Sequence, residues 1–323
     1  MRAFVCSSLD GLDGVAVGTL PDPQLRPGTV RVAVRAAGVN FPDLLMVAGR
    51  YQVRAEPPFA PGVEFAGDVV EVADGVPGVA AGDRVYGSVS HGAYAEQVVA
   101  DAGSVFAMPD AMGYEAAATL PIAYGTGYHA LVDRAGLAAG EHLLVLGAAG
   151  GVGVAATQLG AALGARVTAA VSSDAKAQVA RDAGAAEVIR YDREDLRDRL
   201  RDLAPDGVDV VYDPVGGPAT EAALRSTGWN GRLLIIGFAS GDIPAIPANL
   251  PLLKGCSVVG VFWGRFAGKD PQRNRRNFAV LRELWSGGRI RPVVSQTFDL
   301  DHAGDALRAM GARGVIGKLV VTP

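Results

Sequence analysis

The spacing of hydrophobic and polar residues changes near residue 121 and divides the chain into two regions. Before this point, short stretches such as residues 28–35 alternate apolar and polar positions, which is typical of half-buried strands. Turn pairs such as Pro61-Gly62 and Gly82-Asp83 separate these stretches. The pattern predicts a compact, mostly β domain over residues 1–120.

Beyond residue 121, short apolar runs alternate with segments of helical spacing. The runs are residues 143–146, 167–171, 187–189, 208–212, 233–236 and 257–261, and the helical segments include 152–164, 174–183 and 193–203. Strands that alternate with helices form βαβ units with a parallel sheet. Six such strands predict an α/β fold with a doubly wound Rossmann sheet over residues 121–263.

The last part of the chain changes pattern once more. It predicts a basic helix over residues 271–286, a strand near 293–298, a helix over 301–311 and a final strand over 317–322. We expect residues 264–323 to return to the first domain and complete it.

Composition narrows the class of protein. The chain has 323 residues, 49% hydrophobic and 20% charged, with a net charge of −4. These values predict a globular protein of two domains and argue against nucleic-acid or anionic-membrane surfaces as partners. Residues 143–165 carry no charge, but Gly147, Gly150, Gly151 and Gly153 interrupt them, so we expect a strand, turn and helix there rather than a membrane span.

The two cysteines and the first seven residues indicate the cellular compartment in which the protein is expected. Cys6 and Cys256 stand far apart in apolar, strand-like stretches, which gives neither a disulfide framework nor a cysteine-rich zinc site. Residues 1–7 lack the apolar segment of a signal peptide. A cytoplasmic, reducing location is the expectation.

The turn at residues 148–153 carries the clearest chemistry. Its sequence, Ala-Ala-Gly-Gly-Val-Gly, follows a predicted strand and opens a predicted helix, which is the context of the dinucleotide-binding G-x-G-x-x-G pattern. Ala148 replaces the first glycine. Gly150 would let the backbone approach a pyrophosphate, and Gly153 would let the helix pack against the strand. The predicted contacts, aided by the free N–H groups of the helix N-terminus, are Ala149, Gly150, Gly151 and Val152.

The end of the second Rossmann strand distinguishes NADPH from NADH. An NAD site carries an acid there, which binds the ribose hydroxyls, whereas this strand ends in Ser172 and Ser173, followed by Lys176. Tyr191 follows the third strand. Hydroxyls with a nearby cation suit a 2′-phosphate, so NADPH is the predicted cofactor. Asp174 counts against this prediction, unless it serves as the N-cap of the next helix.

Several motifs, in order, resemble the medium-chain dehydrogenase/reductase superfamily, and specifically its zinc-free, zeta-crystallin-like quinone oxidoreductase branch. They are residues 38–43, 61–67, 82–85, 92–96, 148–153, 212–217 and 317–321, and they cover nearly the whole chain. The resemblance implies that the β domain, residues 1–120 completed by 264–323, is a GroES-like catalytic domain.

The resemblance also implies a protein without zinc. The zinc-dependent members carry Gly-His-Glu where this chain has Gly62-Val63-Glu64, and Asn40 falls in the region of their first catalytic cysteine. Valine cannot ligate a metal, and the four-cysteine structural zinc lobe is missing. The cysteines and histidines of this chain form no ligand spacing, so no metal is expected.

Further site residues are carried over from the family. Those expected near the nicotinamide are Asn40 and Thr126. Those expected at the 2′-phosphate are Ser173, Lys176, Tyr191 and Arg313. Those expected along the rest of the cofactor are Gly237, Phe238, Phe262 and Trp263. In relatives the last sheet strand, here residues 256–262, often pairs across a two-fold axis, so a homodimer is expected.

The reaction is left open between two substrate classes. A quinone that accepts hydride becomes a phenolate, which solvent can protonate, so no dedicated base is needed. An enone or enoyl thioester also needs a proton at its α-carbon, for which the candidate donors are Asp43, Tyr51 and Tyr128. Asp43 has an alternative as a turn or cap residue, and Asn40 either orients a ligand or satisfies backbone groups. A cofactor-binding protein with a structural role is a third possibility.

Overall fold

The protein is described from a computed structural model that covers residues 1–52 and 54–323. Two compact units divide the chain. The first unit consists of Met1–Ile122 and Pro292–Pro323, and the second unit consists of Ala123–Arg291.

Strands and helices are numbered in chain order over the described residues. The strands are β1 (Arg2–Cys6), β2 (Val15–Thr19), β3 (Thr29–Gly38), β4 (Glu64–Val72), β5 (Arg84–Ser88), β6 (Gln97–Asp101), β7 (Val105–Ala107), β8 (His142–Leu146), β9 (Arg166–Val171), β10 (Glu187–Arg190), β11 (Val208–Asp213), β12 (Thr227–Ile235), β13 (Ser257–Gly260), β14 (Val294–Asp299) and β15 (Lys318–Thr322). The α-helices are α1 (Phe41–Val47), α2 (Tyr114–Ala117), α3 (Gly125–Tyr128), α4 (Gly151–Ala162), α5 (Asp174–Asp182), α6 (Leu196–Leu203), α7 (Pro218–Arg225), α8 (Asn249–Lys254), α9 (Trp263–Lys269), α10 (Pro271–Ser286) and α11 (Ala303–Gly311).

The second unit is built on a six-stranded sheet in the order β10-β9-β8-β11-β12-β13. Every neighbouring pair is parallel. If β8 is counted as strand 1, the order is 3-2-1-4-5-6, which is the strand order of a doubly wound dinucleotide fold. All five residues of β8 are buried, as expected of a central parallel strand covered on both faces. The predicted Rossmann sheet is therefore confirmed, with its six runs at β8–β13.

The first unit contains a mostly antiparallel sheet in the order β14-β15-β3-β4-β5-β7, with β6 also paired to β3. Its core includes Val32, Phe65, Tyr94, Leu307 and Leu319. Strand β15 lies antiparallel to β3, so residues close to position 320 complete a sheet that begins near position 30. The predicted mostly β domain is confirmed by this arrangement.

The units differ from the predicted domain boundaries in one segment. Residues 264–291 were expected to join the first domain, but they group with the second unit. Helix α10 buries Phe278, whose ring meets that of Trp263 edge-on with centroids 6.2 Å apart. Trp263 Nε1 also donates to Asn274 Oδ1 at 3.1 Å. Because the apolar face of α10 packs here, the chain joins the first unit only from residue 292.

A short π-helical segment, His129–Arg134, follows α3 and is not visible in the hydrophobic spacing. His129 is buried, its ring stacks on Phe266 at 3.8 Å, and its Nδ1 lies 2.8 Å from Asp133 Oδ2. It is thus a core histidine with a hydrogen-bond partner. Among the described residues, no helix has both the length and the apolar character required to cross a bilayer.

Candidate active site

The turn between β8 and α4 leaves a helix N-terminus free. Helix α4 starts at Gly151, its N-cap is Gly150, and no side chain caps it. The first N–H of α4 with a helical partner is that of Val154, which donates to the Gly150 carbonyl at 2.8 Å. The N–H groups before it, at the positive end of the helix dipole, are therefore available to an anion such as a phosphate.

The glycine pattern of this turn has a steric explanation. A Cβ on Gly153 would stand 2.2 Å from the Gly147 carbonyl oxygen, so only glycine allows α4 to lie this close to the turn. The left-handed backbone conformation falls on Gly147, with φ +57°, and not on residue 148. Ala148 is buried, and its N–H donates to the Ala170 carbonyl. Alanine is accommodated there because the sharp turn is made one residue earlier.

The carboxyl end of β9 gathers the predicted 2′-phosphate ligands. Ser173, with extended backbone, is the N-cap of α5, and its Oγ accepts the N–H of Lys176 at 3.3 Å. Lys176 Nζ lies 3.3 Å from Ser172 Oγ. Tyr191 follows β10, donates its backbone N–H to the Val171 carbonyl, and has an exposed ring. The structure thus brings Ser172, Ser173, Lys176 and Tyr191 to one edge of the sheet.

The suggested capping role of Asp174 is wrong. Ser173 already occupies the N-cap, and Asp174 is the first residue of α5. Its exposed carboxylate instead pairs with Arg190 and Arg193. Sequence reasoning missed both arginines, although their positions beside Tyr191 in the motif Arg-Tyr-Asp-Arg were a usable signal.

The other residues predicted along the cofactor differ in their surroundings. Gly237 and Phe238 lie half-buried just after β12, at the carboxyl ends of the strands where such folds bind ligands. Thr126 is half-buried in α3, and Phe262 is half exposed. Trp263 is buried, with its N–H directed at Asn274. Their contacts with a cofactor stay predictions.

Arg313 belongs to the first unit. It lies just after α11, is exposed, and has a left-handed backbone with φ +57°. Its approach to the 2′-phosphate stays a prediction.

Asp43 lies in the first turn of α1, which Asn40 precedes as N-cap. One oxygen of its carboxylate, Oδ2, accepts the Asn40 backbone N–H at 2.8 Å and the Tyr94 hydroxyl at 2.7 Å. The other, Oδ1, is buried without a partner in the described part of the chain. Burial raises the pKa of Asp43 to about 7, although these hydrogen bonds and the charge of Lys318 act in the opposite direction. The capping alternative for Asp43 is confirmed.

A buried ionic group, which we call the Lys318 cluster, consists of Asn40, Glu64 and Lys318. Lys318 Nζ donates to the Val39 carbonyl at 2.7 Å, to Asn40 Oδ1 at 2.7 Å and to Glu64 Oε1 at 2.8 Å. Glu64 also accepts from Asn40 Nδ2 and from the backbone N–H of Ile122, each at 2.8 Å. All three side chains are buried. Sequence reasoning did not identify Lys318 or Glu64 as partners.

These bonds define what Asn40 can offer to a ligand. Its Nδ2 donates to Glu64 and to the Gly38 carbonyl, and its Oδ1 already accepts from Lys318. Both N–H groups are therefore used inside the first unit. The arrangement favours a positioning role for Asn40, because its amide is held fixed by partners on β3, β4 and β15.

Tyr51 and Tyr128, the other candidate proton donors, are protonated at neutral pH. Burial raises the pKa of both hydroxyls, and the nearby Asp43 adds to the effect at Tyr51. Tyr51 is half-buried after α1 and lines a small pocket with Met46, Gly49 and Arg54.

A valine stands at the position of a zinc ligand in the zinc-dependent branch of the family. Val63 is buried in an apolar cluster with Cys6, Met46 and Phe59, where the zinc-dependent relatives have a ligating histidine. Over residues 1–52 and 54–323, no three His, Cys, Asp or Glu side chains are grouped so that they could hold a metal ion.

A Rossmann unit with a free helix N-terminus, together with a GroES-like β unit, defines a dehydrogenase or reductase. The family model "Alcohol dehydrogenase GroES-like domain" matches residues 26–110, and "Zinc-binding dehydrogenase" matches residues 151–279. Quinone oxidoreductase-like protein 2 homolog of Nematostella vectensis is 37% identical to this chain, over 99% of this chain and 88% of its own length.

Two solved structures are similar over the full length of both chains. The quinone oxidoreductase of Thermus thermophilus, also determined with NADPH, has a TM-score of 0.88 and 33% identity. A mycobacterial protein, Rv1454c, in complex with NADPH has a TM-score of 0.94 and 30% identity. The chain belongs to the quinone oxidoreductase branch of the medium-chain dehydrogenase/reductase superfamily and is an oxidoreductase.

Replacing Lys318 by methionine should lower the free energy of unfolding by about 3–5 kcal/mol, because it leaves the buried Glu64 carboxylate without its cation. Denaturant unfolding of the purified protein measures the change. The double variant Lys318→Met/Glu64→Gln should lose less than Lys318→Met alone. Equal losses of unfolding free energy in the two variants would show that an unpaired Glu64 carboxylate does not destabilise the folded protein.

Asp43 should make the protein less stable as the pH rises. Because its pKa is raised from 3.8 to about 7 on folding, the folded state holds a proton that the unfolded state has released between these values. Its contribution to stability is thus full below pH 3.8 and is lost towards pH 7, with a limiting slope of about 1.4 kcal/mol per pH unit.

The isosteric variant Asp43→Asn should remove this slope. Unfolding free energies at pH 5 and pH 8 give the comparison, with Asp110→Asn, an exposed acid of the same unit, as the control. An unchanged pH dependence in Asp43→Asn would rule out the raised pKa.

Proposed function

We propose that this oxidoreductase transfers hydride from NADPH to a quinone and does so without a metal. The observation that carries the proposal is the set of hydroxyls and the lysine at the carboxyl end of β9. The ammonium group of Lys176 lies 3.3 Å from the Ser172 hydroxyl, and the Ser173 hydroxyl accepts the backbone N–H of the same lysine. Two hydroxyls and an ammonium group at one strand end suit a phosphate. The NADPH complexes of the Thermus and mycobacterial proteins support this choice of cofactor.

The chain's own residues bind and orient the cofactor. The uncapped N–H groups of α4 bind the pyrophosphate, and the end of β9 binds the 2′-phosphate. When bound, NADPH supplies the hydride from its nicotinamide ring. Residues that line it, by family resemblance, are Asn40, Thr126, Gly237, Phe238, Phe262, Trp263 and Arg313.

A quinone suits a site that lacks metal ligands and a dedicated base. Its reduction places negative charge on oxygen, which solvent can protonate, so neither a metal nor a dedicated base is needed. The buried Val63 and the fully bonded Asn40 provide no metal ligands at the position of the zinc site of relatives. The name of the Nematostella relative points to the same substrate class.

An enone or enoyl thioester is the second candidate, because protonated acids exist in the first unit. Asp43, with a pKa raised to about 7, is partly protonated at neutral pH, and Tyr51, with its pKa raised above the ordinary value, keeps its proton. Such groups provide the α-carbon proton that this reaction requires.

Substrate class and cofactor are tested together. Steady-state NADPH oxidation should be faster with 1,4-benzoquinone than with a simple enone. Lys176→Ala should weaken NADPH binding by about 1–2 kcal/mol, the value of a charge-assisted hydrogen bond, and leave NADH binding nearly unchanged. Lys269→Ala, an exposed lysine of the same unit, is the control.

Three results would contradict parts of the proposal. Faster turnover of the enone would assign the second function. Tight NADPH binding with no turnover of either substrate would favour a structural role. Equal losses of NADPH and NADH binding in Lys176→Ala would remove the 2′-phosphate from this site.

The proposed assembly is a homodimer formed through β13. This strand pairs with β12 alone in the described residues, and Val258 on it is 40% exposed. Exposed apolar side chains also occur at Trp229 on the paired strand β12, and at Leu252 and Leu253 in α8, which precedes β13. An open sheet edge with apolar side chains invites pairing with a second copy.

Light scattering should therefore give twice the chain mass of 33.2 kDa, and Val258→Lys should shift the protein to the monomer. Val70→Lys, a 46% exposed valine on β4 of the first unit, should leave the dimer intact. A monomeric wild-type protein would refute this interface.

A further inference from the structure

Two arginines and an aspartate form a charged group beside the proposed 2′-phosphate site. Arg190 ends β10 and lies opposite Val171, the last residue of β9. Its guanidinium donates to Asp174 and, at 2.7 and 2.8 Å, to both oxygens of Asp192. Arg193 Nη2 donates to Asp174 at 3.2 Å. The Asp174 carboxylate is thus shared by two guanidinium groups.

These ion pairs contribute little to the stability of the fold. The Asp174 side chain is 77% exposed and that of Arg193 is 64% exposed, and exposed pairs contribute only about 0–1 kcal/mol. Arg190 is different, because its side chain is only 11% exposed. A largely covered guanidinium that faces an exposed carboxylate keeps its place while the carboxylate is free to rotate away.

The location of this carboxylate suggests what replaces it. Asp174 directly follows Ser173, so its partners lie at the same strand end as Ser172 and Lys176. A phosphate has three acceptor oxygens and forms charge-assisted hydrogen bonds with guanidinium groups. On Arg190 the group that faces Asp174 is Nη1, because Nε and Nη2 bind Asp192. An anion in the place of the Asp174 carboxylate would meet both arginines, at the strand end that also carries Lys176.

We propose that the Asp174 carboxylate is a stand-in for the cofactor's 2′-phosphate, which takes its place on Arg190 and Arg193. These two arginines, together with Lys176, then set the preference for NADPH over NADH. The inference rests on the proposed NADPH function and adds two specificity-determining residues to it. It also explains how an acid at the end of the second Rossmann strand is compatible with NADPH, because two cations hold its charge.

Dissociation constants for NADPH and NADH, measured on the full-length protein by fluorescence titration, test the inference. Arg190→Gln should weaken NADPH binding by about tenfold, the loss expected for charge-assisted hydrogen bonds, and leave NADH within about twofold. Arg193→Gln should have a smaller effect in the same direction, because this side chain is more exposed. Arg190→Lys, which keeps the charge but cannot bond Asp192 and the phosphate through a planar guanidinium at once, should be intermediate.

Asp174→Asn gives a change of opposite sign. Without the competing carboxylate, NADPH should bind more tightly, by about threefold, because one exposed ion pair no longer has to be broken. NADH should gain nothing. Arg201→Gln, which breaks an exposed Arg–Asp pair on α6, is the matched control and should leave both constants unchanged.

The outcomes separate this inference from the function on which it rests. If wild-type protein prefers NADPH but Arg190→Gln and Arg193→Gln retain that preference, the arginines do not contact the phosphate and the inference is overturned. If Asp174→Asn loses NADH binding instead, the carboxylate binds the ribose hydroxyls, and the inference is also wrong. If wild-type protein binds NADH as tightly as NADPH, the proposed cofactor itself is refuted. Should Arg190→Gln fail to fold, Arg190→Lys and Asp174→Asn still decide the matter.

Discussion

The buried ammonium group of Lys318 organises the first unit. A lysine in an apolar interior is tolerated only when its three N–H groups have acceptors and its charge has a partner. Lys318 meets both conditions through Val39, Asn40 and Glu64. One ion therefore joins β15, the loop before α1 and the start of β4, and it fixes the Asn40 amide. The backbone that carries Asp43 begins directly after this fixed point.

Much of the fold could be predicted because the local spacing of apolar residues and glycines indicates where strands, helices and turns lie. Central strands such as β8 and β11 are continuous apolar runs, and the glycine turn before α4 has a steric requirement visible in the sequence. The assignment of α10 failed for a physical reason. An amphipathic helix shows that one face is buried, but the pattern does not say which core covers it, and here that core contains Trp263 and Phe278.

The candidate site was predictable only in part, for a related reason. Ser172, Ser173 and Lys176 are neighbours along the chain, so their convergence follows from the end of one strand. Lys318 and Asn40 are 278 positions apart, and only the pairing of β15 with β3 brings them together. The pairing of Asp174 with Arg190 likewise depends on the register of β9 and β10. Local patterns identify single residues, whereas partners across a sheet require the register.

The two-segment construction of the first unit has a consequence for synthesis. Residues 123–291 are inserted between the segments that form its sheet. On a ribosome, the dinucleotide-binding unit is finished while β3 still lacks β15 as a neighbour and Glu64 still lacks its cation. The nascent chain then carries one folded unit and one open apolar edge, a state prone to mispairing. Closure of the long loop must wait for residues 292–323, so chaperone demand should concentrate in this interval.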